Sequence, residues 1–342
     1  MKCLVIQTAY LGDVILTLPL LALLREHSDI RTLVALTTPI GARFLRGQDV
    51  SDRTIVYDKM GGDRGASGFR RIVDDVRRCG FDAAVIPHRS FRSALLPLLA
   101  LIPDRVGFDE SGGRVLLTRR LPYRSRPHEA ERLATLAGPL GVSVPSGRVA
   151  FRVRTTAAGE NELSNALENE GVDRCEDLVV AAPGSRWTTK RWEARRFGEA
   201  LATLGAELGA RPVVTGTPDE AESGAAAATA AGPGAVDLTG ALSVAGLTAL
   251  AKRSVLLLSN DSAAAHIAAG VGTPVVAVFG PTTPAQGFAP YSPRSRVVDV
   301  PLGCRPCGRH GSDRCRRGTH GCMKQVGVAD VVAAALEVLG EP

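Results

Sequence analysis

The chain has 342 residues, 45% of them hydrophobic and 22% charged, with a formal net charge of +6 and a pI near 9.1. That length suggests two domains of roughly 150 residues, each able to bury its own core. Aromatic residues make up only 4%, too few for base-stacking platforms, so nucleic acid is not an expected partner.

The basic balance admits anionic partners such as phosphorylated sugars, nucleotides or a membrane face, and does not choose among them. No apolar run reaches the ~18 residues of a membrane span. The longest candidate, VILTLPLLALL, has 11 residues and follows Gly12 and Asp13. It lacks the charged leader and small-residue cleavage site of a signal peptide. Seven cysteines, an odd number, agree with a reducing compartment. The expected location is cytoplasmic.

The first half alternates short β-type runs with helical stretches. CLVI reads as a strand and 14–26 as a helix. Strands follow at 31–37 and 53–58. A helix at 68–78 puts Phe69, Ile72, Val73 and Val76 on one face. Residues 81–88 form a strand, 94–102 a buried helix with Pro97 inside it, and 105–108 a short strand. Between about 140 and 175 the chain turns polar and rich in small residues, and the domain junction is expected near residue 155. The second half repeats the alternation: a strand and loop at 177–185 and again at 254–261, strands at 211–217, 235–240 and 273–280, and helices at 193–208, 219–231, 244–253, 262–270 and 328–339. Strands alternating with helices predict parallel sheets covered on both faces. The expected architecture is α/β: two Rossmann-like doubly wound domains, 1–155 and 156–342, facing a cleft. Ligands in such sheets sit at the carboxyl ends of the strands.

Two loops after strands suit a diphosphate. In SNDSAAAHIAAG, three polar residues precede a helix whose first turn is built of small side chains. Free N–H groups and the helix dipole there can take a phosphate, with Ser262 adding a hydroxyl, provided Asp261 turns away. Plain N-capping by Asp261 or Ser262 explains the same residues. His266 lies one turn into that helix and is either structural or functional. In APGSRWTTKRW, Ser185, Thr188, Thr189 and Lys190 follow a strand end. Hydroxyls can donate to phosphate oxygens while the ammonium neutralises them; the alternative is a solvated loop pinned by Trp187 and Trp192. The chain has no P-loop, no GxGxxG after the first strand and no Asp-x-Asp triplet. A nicotinamide dehydrogenase is therefore disfavoured. Any nucleotide-sugar would have to be neutralised by cations and helix ends in place of a metal.

Asp13 follows the first strand and Gly12, and opens a nearly all-apolar helix. It reads as a helix cap or as a general base. Cys304, Cys307, Cys315 and Cys322 are spaced x2, x7 and x6. Four thiolates could hold a structural zinc, although the usual ribbon has two CxxC pairs; reduced thiols in an ordered loop are the other reading. Arg114, Arg119, Arg120, Arg124 and Arg126 form a run without acids, and His88, Arg89 and Arg92 follow a strand end.

AYLGDVILTLPLLALLRE, PGSRWTTKRW, SNDSAAAHIAAGVGTPVVAVFGPT and the cysteine-rich tail occur in this order. As a set they resemble the ADP-heptose:lipopolysaccharide heptosyltransferases, inverting glycosyltransferases of family 9 with the GT-B fold. The likeness spans nearly the whole chain, and the cysteine tail favours the second heptosyltransferase subtype. The resemblance implies an acceptor-binding N-terminal domain, an ADP-sugar-binding C-terminal domain whose last helix packs back on the N-terminal one, and catalysis without a metal. It implies Asp13 as general base, and Lys190, Thr188, Thr189, Ser185, Asp261, Ser262 and His266 at the donor. Gly12, His88, Arg89, Arg92 and Arg120 become candidate contacts to an anionic lipid-linked core oligosaccharide, with the enzyme peripheral at the inner membrane. One departure stands out: the family usually has glycine after the serine, and here Ala263 stands there, where its methyl crowds the approach to phosphate. A related transferase with another nucleotide-sugar, or a non-catalytic nucleotide- or zinc-binding protein, are the competing readings.

Overall fold

The computed structural model describes residues 1–340. The chain divides into two compact units, Met1–Arg152 and Val153–Pro342. In unit 1, β1 (Lys2–Gln7) leads into α1 (Leu11–Leu16) and α2 (Leu18–Glu26). There follow β2 (Thr32–Thr37), α3 (Pro39–Leu45), β3 (Arg53–Val56), α4 (Gly65–Cys79), β4 (Ala83–Ile86), α5 (Phe91–Leu99), β5 (Asp104–Phe108), β6 (Arg119–Leu121) and α6 (Glu129–Ala134). All neighbouring strands are parallel, in the order β3-β2-β1-β4-β5-β6. Residues 3–7 of β1 are all buried, because a parallel sheet has both faces covered and its central strands read as continuous apolar runs.

Unit 2 begins with α7 (Ala157–Asn169) and β7 (Leu178–Ala182). It continues through α8 (Ala194–Leu208), β8 (Arg211–Val214), α9 (Ala221–Ala231), β9 (Val236–Asp237), α10 (Val244–Arg253), β10 (Leu256–Asn260), α11 (Ala263–Val271), β11 (Val275–Phe279), β12 (Ser295–Asp299), α12 (Gly321–Lys324) and α13 (Val328–Gly340). Its parallel sheet runs β12-β11-β10-β7-β8-β9. Counted from the first strand of each unit, the two sheets have the same doubly wound order. In both, the order reverses beside the first strand: between β1 and β4, and between β7 and β10. Those two points are where an open α/β sheet binds ligands.

Two expectations change. The single helix at 14–26 is two helices, and it starts earlier, at Leu11. Pro19 has no N–H to give the carbonyl four residues back, and its ring clashes there. The chain breaks at Thr17, whose hydroxyl bonds the Asp13 carbonyl at 2.7 Å. The helix read as buried, α5, buries Ser93, Ala94, Leu96 and Pro97 on one side only; Phe91 is 51% exposed. The last helix packs on α8, β11 and β12 of its own unit, with Val331, Ala335 and Val338 in that core. The apolar pattern gave no sign of β6, whose RRL is largely exposed. The helices α3 and α6 and the edge strand β12 were also not anticipated.

Candidate active site

In unit 2 the loop after β7 carries Ser185 to Lys190, and the loop after β10 carries Asp261 and Ser262. Asn260, fully buried at the end of β10, ties the two together. Its side-chain oxygen accepts the Trp192 N–H at 2.9 Å, and its amide donates to the Pro183 carbonyl at 2.7 Å. Lys190 is thereby brought to Asp261, and its ammonium donates to Asp261 Oδ2 at 2.5 Å. The same oxygen accepts the Thr282 hydroxyl at 2.6 Å. Asp261 therefore turns away from the helix start, toward Lys190 and Thr282. Ser262 is the N-cap residue of α11, yet no side chain caps that helix; its hydroxyl meets Ser259 at 2.9 Å instead. Capping by Asp261 or Ser262 is not what these residues do. A cation, hydroxyls and a helix start without a side-chain cap stand around one strand switch, an arrangement that can hold a diphosphate.

The remaining candidates on that side differ in what they offer. Thr188 is exposed at the head of the 3₁₀ turn Thr188–Lys190. Thr189 is 4% exposed, and its hydroxyl bonds the Ser312 carbonyl at 2.7 Å and the Ser312 N–H at 2.8 Å. His320 Nε2 lies 2.8 Å from the Thr189 carbonyl. A Cβ on Gly311 would press on Trp187 and on the stem of Lys190. The cysteine-rich segment thus straps down the lysine loop, and Thr189 acts as its anchor rather than as a direct ligand. Ser185 is buried, and its carbonyl takes Arg191 Nε at 2.8 Å. His266 is buried at the fourth residue of α11.

Unit 1 builds a second cluster at its own switch. Thr8, after β1, meets His88 Nδ1 at 3.0 Å, and His88 meets the Ser93 hydroxyl at 2.9 Å. With Tyr57, Lys59, Ser90 and Arg92 they line a small recess floored by Ile6 and Leu96. Lys59 reaches the Thr8 carbonyl at 2.6 Å. Burial, and then the nearby Arg92, push the Lys59 ammonium below its ordinary pKa of 10.5, while the Asp13 carboxylate pulls it back up. Tyr57 is 3% exposed and its hydroxyl has no hydrogen-bond partner among the described residues. The cavity is cationic, with an unused donor. Asp13 stands in the first turn of α1 with Gly12 before it, and its Oδ2 accepts the N–H of the N-cap Tyr10 at 3.2 Å. Asp13 is therefore not the N-cap, though it does close a capping box.

Two acceptor candidates point elsewhere. Arg89 stacks 3.9 Å over the Tyr123 ring and pairs with Glu110 at 3.3 Å. Arg120 lies exposed on the edge strand β6 and is not among the residues lining the recess. Sequence reading missed Asn260, Lys59 and Tyr57. Asn260 had a signal, an amide ending a buried strand directly before Asp261. Lys59 and Tyr57 lie at the end of the strand read at 53–58, but only the β1–β2–β3 packing carries them to the end of β1.

Three of the tail cysteines have shifted thiols. Burial and then the neighbouring thiols raise Cys307; burial raises Cys322; the backbone N–H of His320 heads a set of amides that lowers Cys315. Among the described residues, however, no set of three or more His, Cys, Asp or Glu side chains stands where it could hold a metal ion.

A family model described as glycosyltransferase family 9 (heptosyltransferase) matches residues 69–314. Lipopolysaccharide heptosyltransferase 2 of Escherichia coli (strain K12) is 25% identical over 316 residues, 89% of each chain. Lipopolysaccharide heptosyltransferase 3 of Escherichia coli is 31% identical over 150 residues, 42% of this chain and 43% of that relative. Among solved structures, E. coli ADP-heptose lps heptosyltransferase II has a TM-score of 0.79 at 23% identity, covering 99% of this chain and 98% of that one. The glycosyl transferase family 9 structure from Veillonella parvula has a TM-score of 0.86 at 23% identity, covering 99% and 97%. The fold is GT-B, with one Rossmann-like sheet in each unit.

Proposed function

This chain belongs to glycosyltransferase family 9, the heptosyltransferases, and we propose that it moves heptose from ADP-heptose to the inner core of lipopolysaccharide, with inversion and without a catalytic metal. The observation that carries the reading is the pair of polar clusters at the two strand switches. The cluster in unit 2 combines Lys190 with a helix start that no side chain caps; the cluster in unit 1 combines a carboxylate with a cationic recess. Relatives named for lipopolysaccharide heptose transfer support the choice of donor and acceptor.

In this reading the acceptor hydroxyl attacks the anomeric carbon from the face opposite the leaving phosphate. As the new C–O bond forms, the Asp13 carboxylate takes the hydroxyl proton. The bond from the anomeric carbon to the phosphate oxygen breaks, and ADP leaves with its charge. Lys190 and the first amides of α11 stabilise that charge. Asp261 and Thr282 hold Lys190 in place from behind. Lys59, His88 and Arg92 take the anionic groups of the acceptor, which is presented at the inner face of the cytoplasmic membrane, where the enzyme works from the cytoplasmic side.

The test is ADP release from ADP-heptose with purified truncated core acceptors, run beside UDP- and GDP-sugars. Turnover with ADP-heptose alone, lost about 10²–10⁴-fold in Asp13→Asn, is the expected result. Turnover only with another nucleotide-sugar, or nucleotide binding without turnover, overturns the proposal.

A further inference from the structure

Helix α5, FRSALLPLL, is apolar apart from Arg92 and Ser93 near its start, and only part of its apolar surface is covered. Ser93, Ala94, Leu96 and Pro97 face the sheet of unit 1. Phe91, Leu95, Leu98 and Leu99 follow the i, i+4, i+7, i+8 spacing of one helical stripe, and that stripe is partly or fully in water: Phe91 is 51% and Leu99 41% exposed. The patch continues at both ends. Leu101, two residues past the helix, is 72% exposed and holds a left-handed φ of 62°. Val115, on the 3₁₀ turn that packs against α5, is 70% exposed. A contiguous apolar face of this kind marks an interaction surface.

Its rim is cationic. Arg77 donates to the Leu99 carbonyl from α4, and exposed Arg114 precedes Val115. Neither has an ion pair among the described residues, whereas Arg78 is answered by Asp75 and Arg89 by Glu110. A second copy of the chain meeting this face by two-fold symmetry would bring those arginines toward their own counterparts. A bilayer with anionic headgroups satisfies both features: apolar side chains enter the headgroup boundary and the arginines meet the phosphates. No helix of the described residues is long and apolar enough to cross a membrane, so the contact is peripheral.

We propose that the outer face of α5, with Leu101 and Val115, is the surface by which this chain docks on an anionic lipid bilayer. The stripe starts at Phe91, between Ser90 and Arg92, which line the cationic recess. Docking through α5 therefore sets the mouth of that recess at the headgroup layer, where a lipid-linked glycan is presented. This last consequence rests on the proposed function; the docking itself does not.

Cosedimentation with sugar-free vesicles tests it. The full chain binds phosphatidylcholine vesicles containing phosphatidylglycerol at least about tenfold more tightly than phosphatidylcholine alone. The triple variant Phe91→Gln, Leu101→Gln, Val115→Gln loses about tenfold or more of that binding while its circular dichroism is unchanged. The pair Arg77→Gln, Arg114→Gln abolishes the preference for phosphatidylglycerol, and serves alone if the triple variant fails to fold. Unaltered vesicle binding by the folded variants overturns the proposal. So does a wild-type dimer that the triple variant converts to monomer with no change in vesicle binding. Transfer to a delipidated, water-soluble acceptor is expected to be equal in wild type and triple variant. Its absence in wild type would count against the proposed function and leave the vesicle result standing.

Discussion

Replacing Asn260 by alanine separates unit 2 into a sheet and two loops that no longer know where each other is. The side chain is fully buried and makes two short bonds, accepting from Trp192 N–H at 2.9 Å and donating to the Pro183 carbonyl at 2.7 Å. Its contact with the Gly184 carbonyl, at 3.4 Å, adds little. Each bond is worth roughly 0.5–1.5 kcal/mol net, but truncation strands both partners in the interior, and an unsatisfied buried group costs about 1–3 kcal/mol. The expected loss is therefore about 2–6 kcal/mol. The protein supplies its own probe: its two tryptophans, Trp187 and Trp192, both lie in unit 2, on the loop that Asn260 holds. Urea unfolding followed by tryptophan emission reads unit 2 by itself, which avoids treating a two-unit chain as one transition. The midpoint should fall with the slope unchanged. Donor affinity should fall as well, because Lys190 reaches Asp261 only while the Asn260 bonds hold its loop. An unfolding free energy within about 0.5 kcal/mol of wild type, with donor binding intact, would refute the claim that this amide organises the switch point.

Thr189→Val keeps the volume of the side chain but removes both bonds to Ser312. If the cysteine-rich segment positions Lys190, the variant raises the KM for the donor about tenfold and leaves acceptor KM alone, measured by steady-state ADP release. In unit 1, Arg132 is 2% exposed and bonds Glu129 Oε2 at 2.6 and 2.7 Å and the carbonyls of Ser125 and Pro127. Arg132→Met strands that carboxylate and should cost about 3–5 kcal/mol by thermal unfolding, with Glu129→Leu added in the same chain recovering part of it. Lys59 gives a pH signature. Its folded pKa is depressed, chiefly by burial, so the protonated form opposes folding. Its contribution to stability grows as pH rises from the lowered folded value toward 10.5, and its grip on an anionic acceptor is lost over the same window. Acceptor KM should climb across that alkaline range in wild type, and Lys59→Met should flatten the rise.

The fold was legible wherever a strand is buried on both faces. LVVAA, LLLSN and VVAVF need no alternation to be recognised, since a covered parallel strand is apolar throughout. What escaped were edges and short pieces. The strand β6 is RRL with an exposed pattern, and its only reason to be a strand is the backbone of β5 beside it. The helix boundary at 14–26 was misplaced because apolar periodicity continues across Thr17 while Pro19 ends the hydrogen-bond ladder. The site divides along the same line. Asp13, Lys190, Asp261 and Ser262 lie in the loops or first turns that follow the buried strands β1, β7 and β10, so their place at the carboxyl ends could be read in sequence. Lys59 and Tyr57 sit after the edge strand β3, and only the parallel register of β1, β2 and β3 brings them to Thr8.

Thr189 and Asp261 show why residue type alone misassigns roles at such a site. A hydroxyl beside a lysine reads as a phosphate donor, and so Thr188 and Thr189 look equivalent. Their burial separates them: Thr188 is exposed, whereas the Thr189 hydroxyl gives and receives a bond with one backbone residue 123 positions away. A hydroxyl with both functions satisfied in the interior has little left to offer a ligand. Asp261 looks like a cap because acids precede helices, yet its Oδ2 carries Lys190 and Thr282, and α11 starts without a side-chain partner. One carboxylate thereby does two things at once. It removes itself from the helix start that an anion would occupy, and it fixes the cation that the anion would meet. The same logic applies in unit 1, where Arg89 is taken up by Tyr123 and Glu110 and so leaves the recess to Lys59, His88 and Arg92. In both units hydrogen bonds and ion pairs behind the strand switch decide which side chains face it.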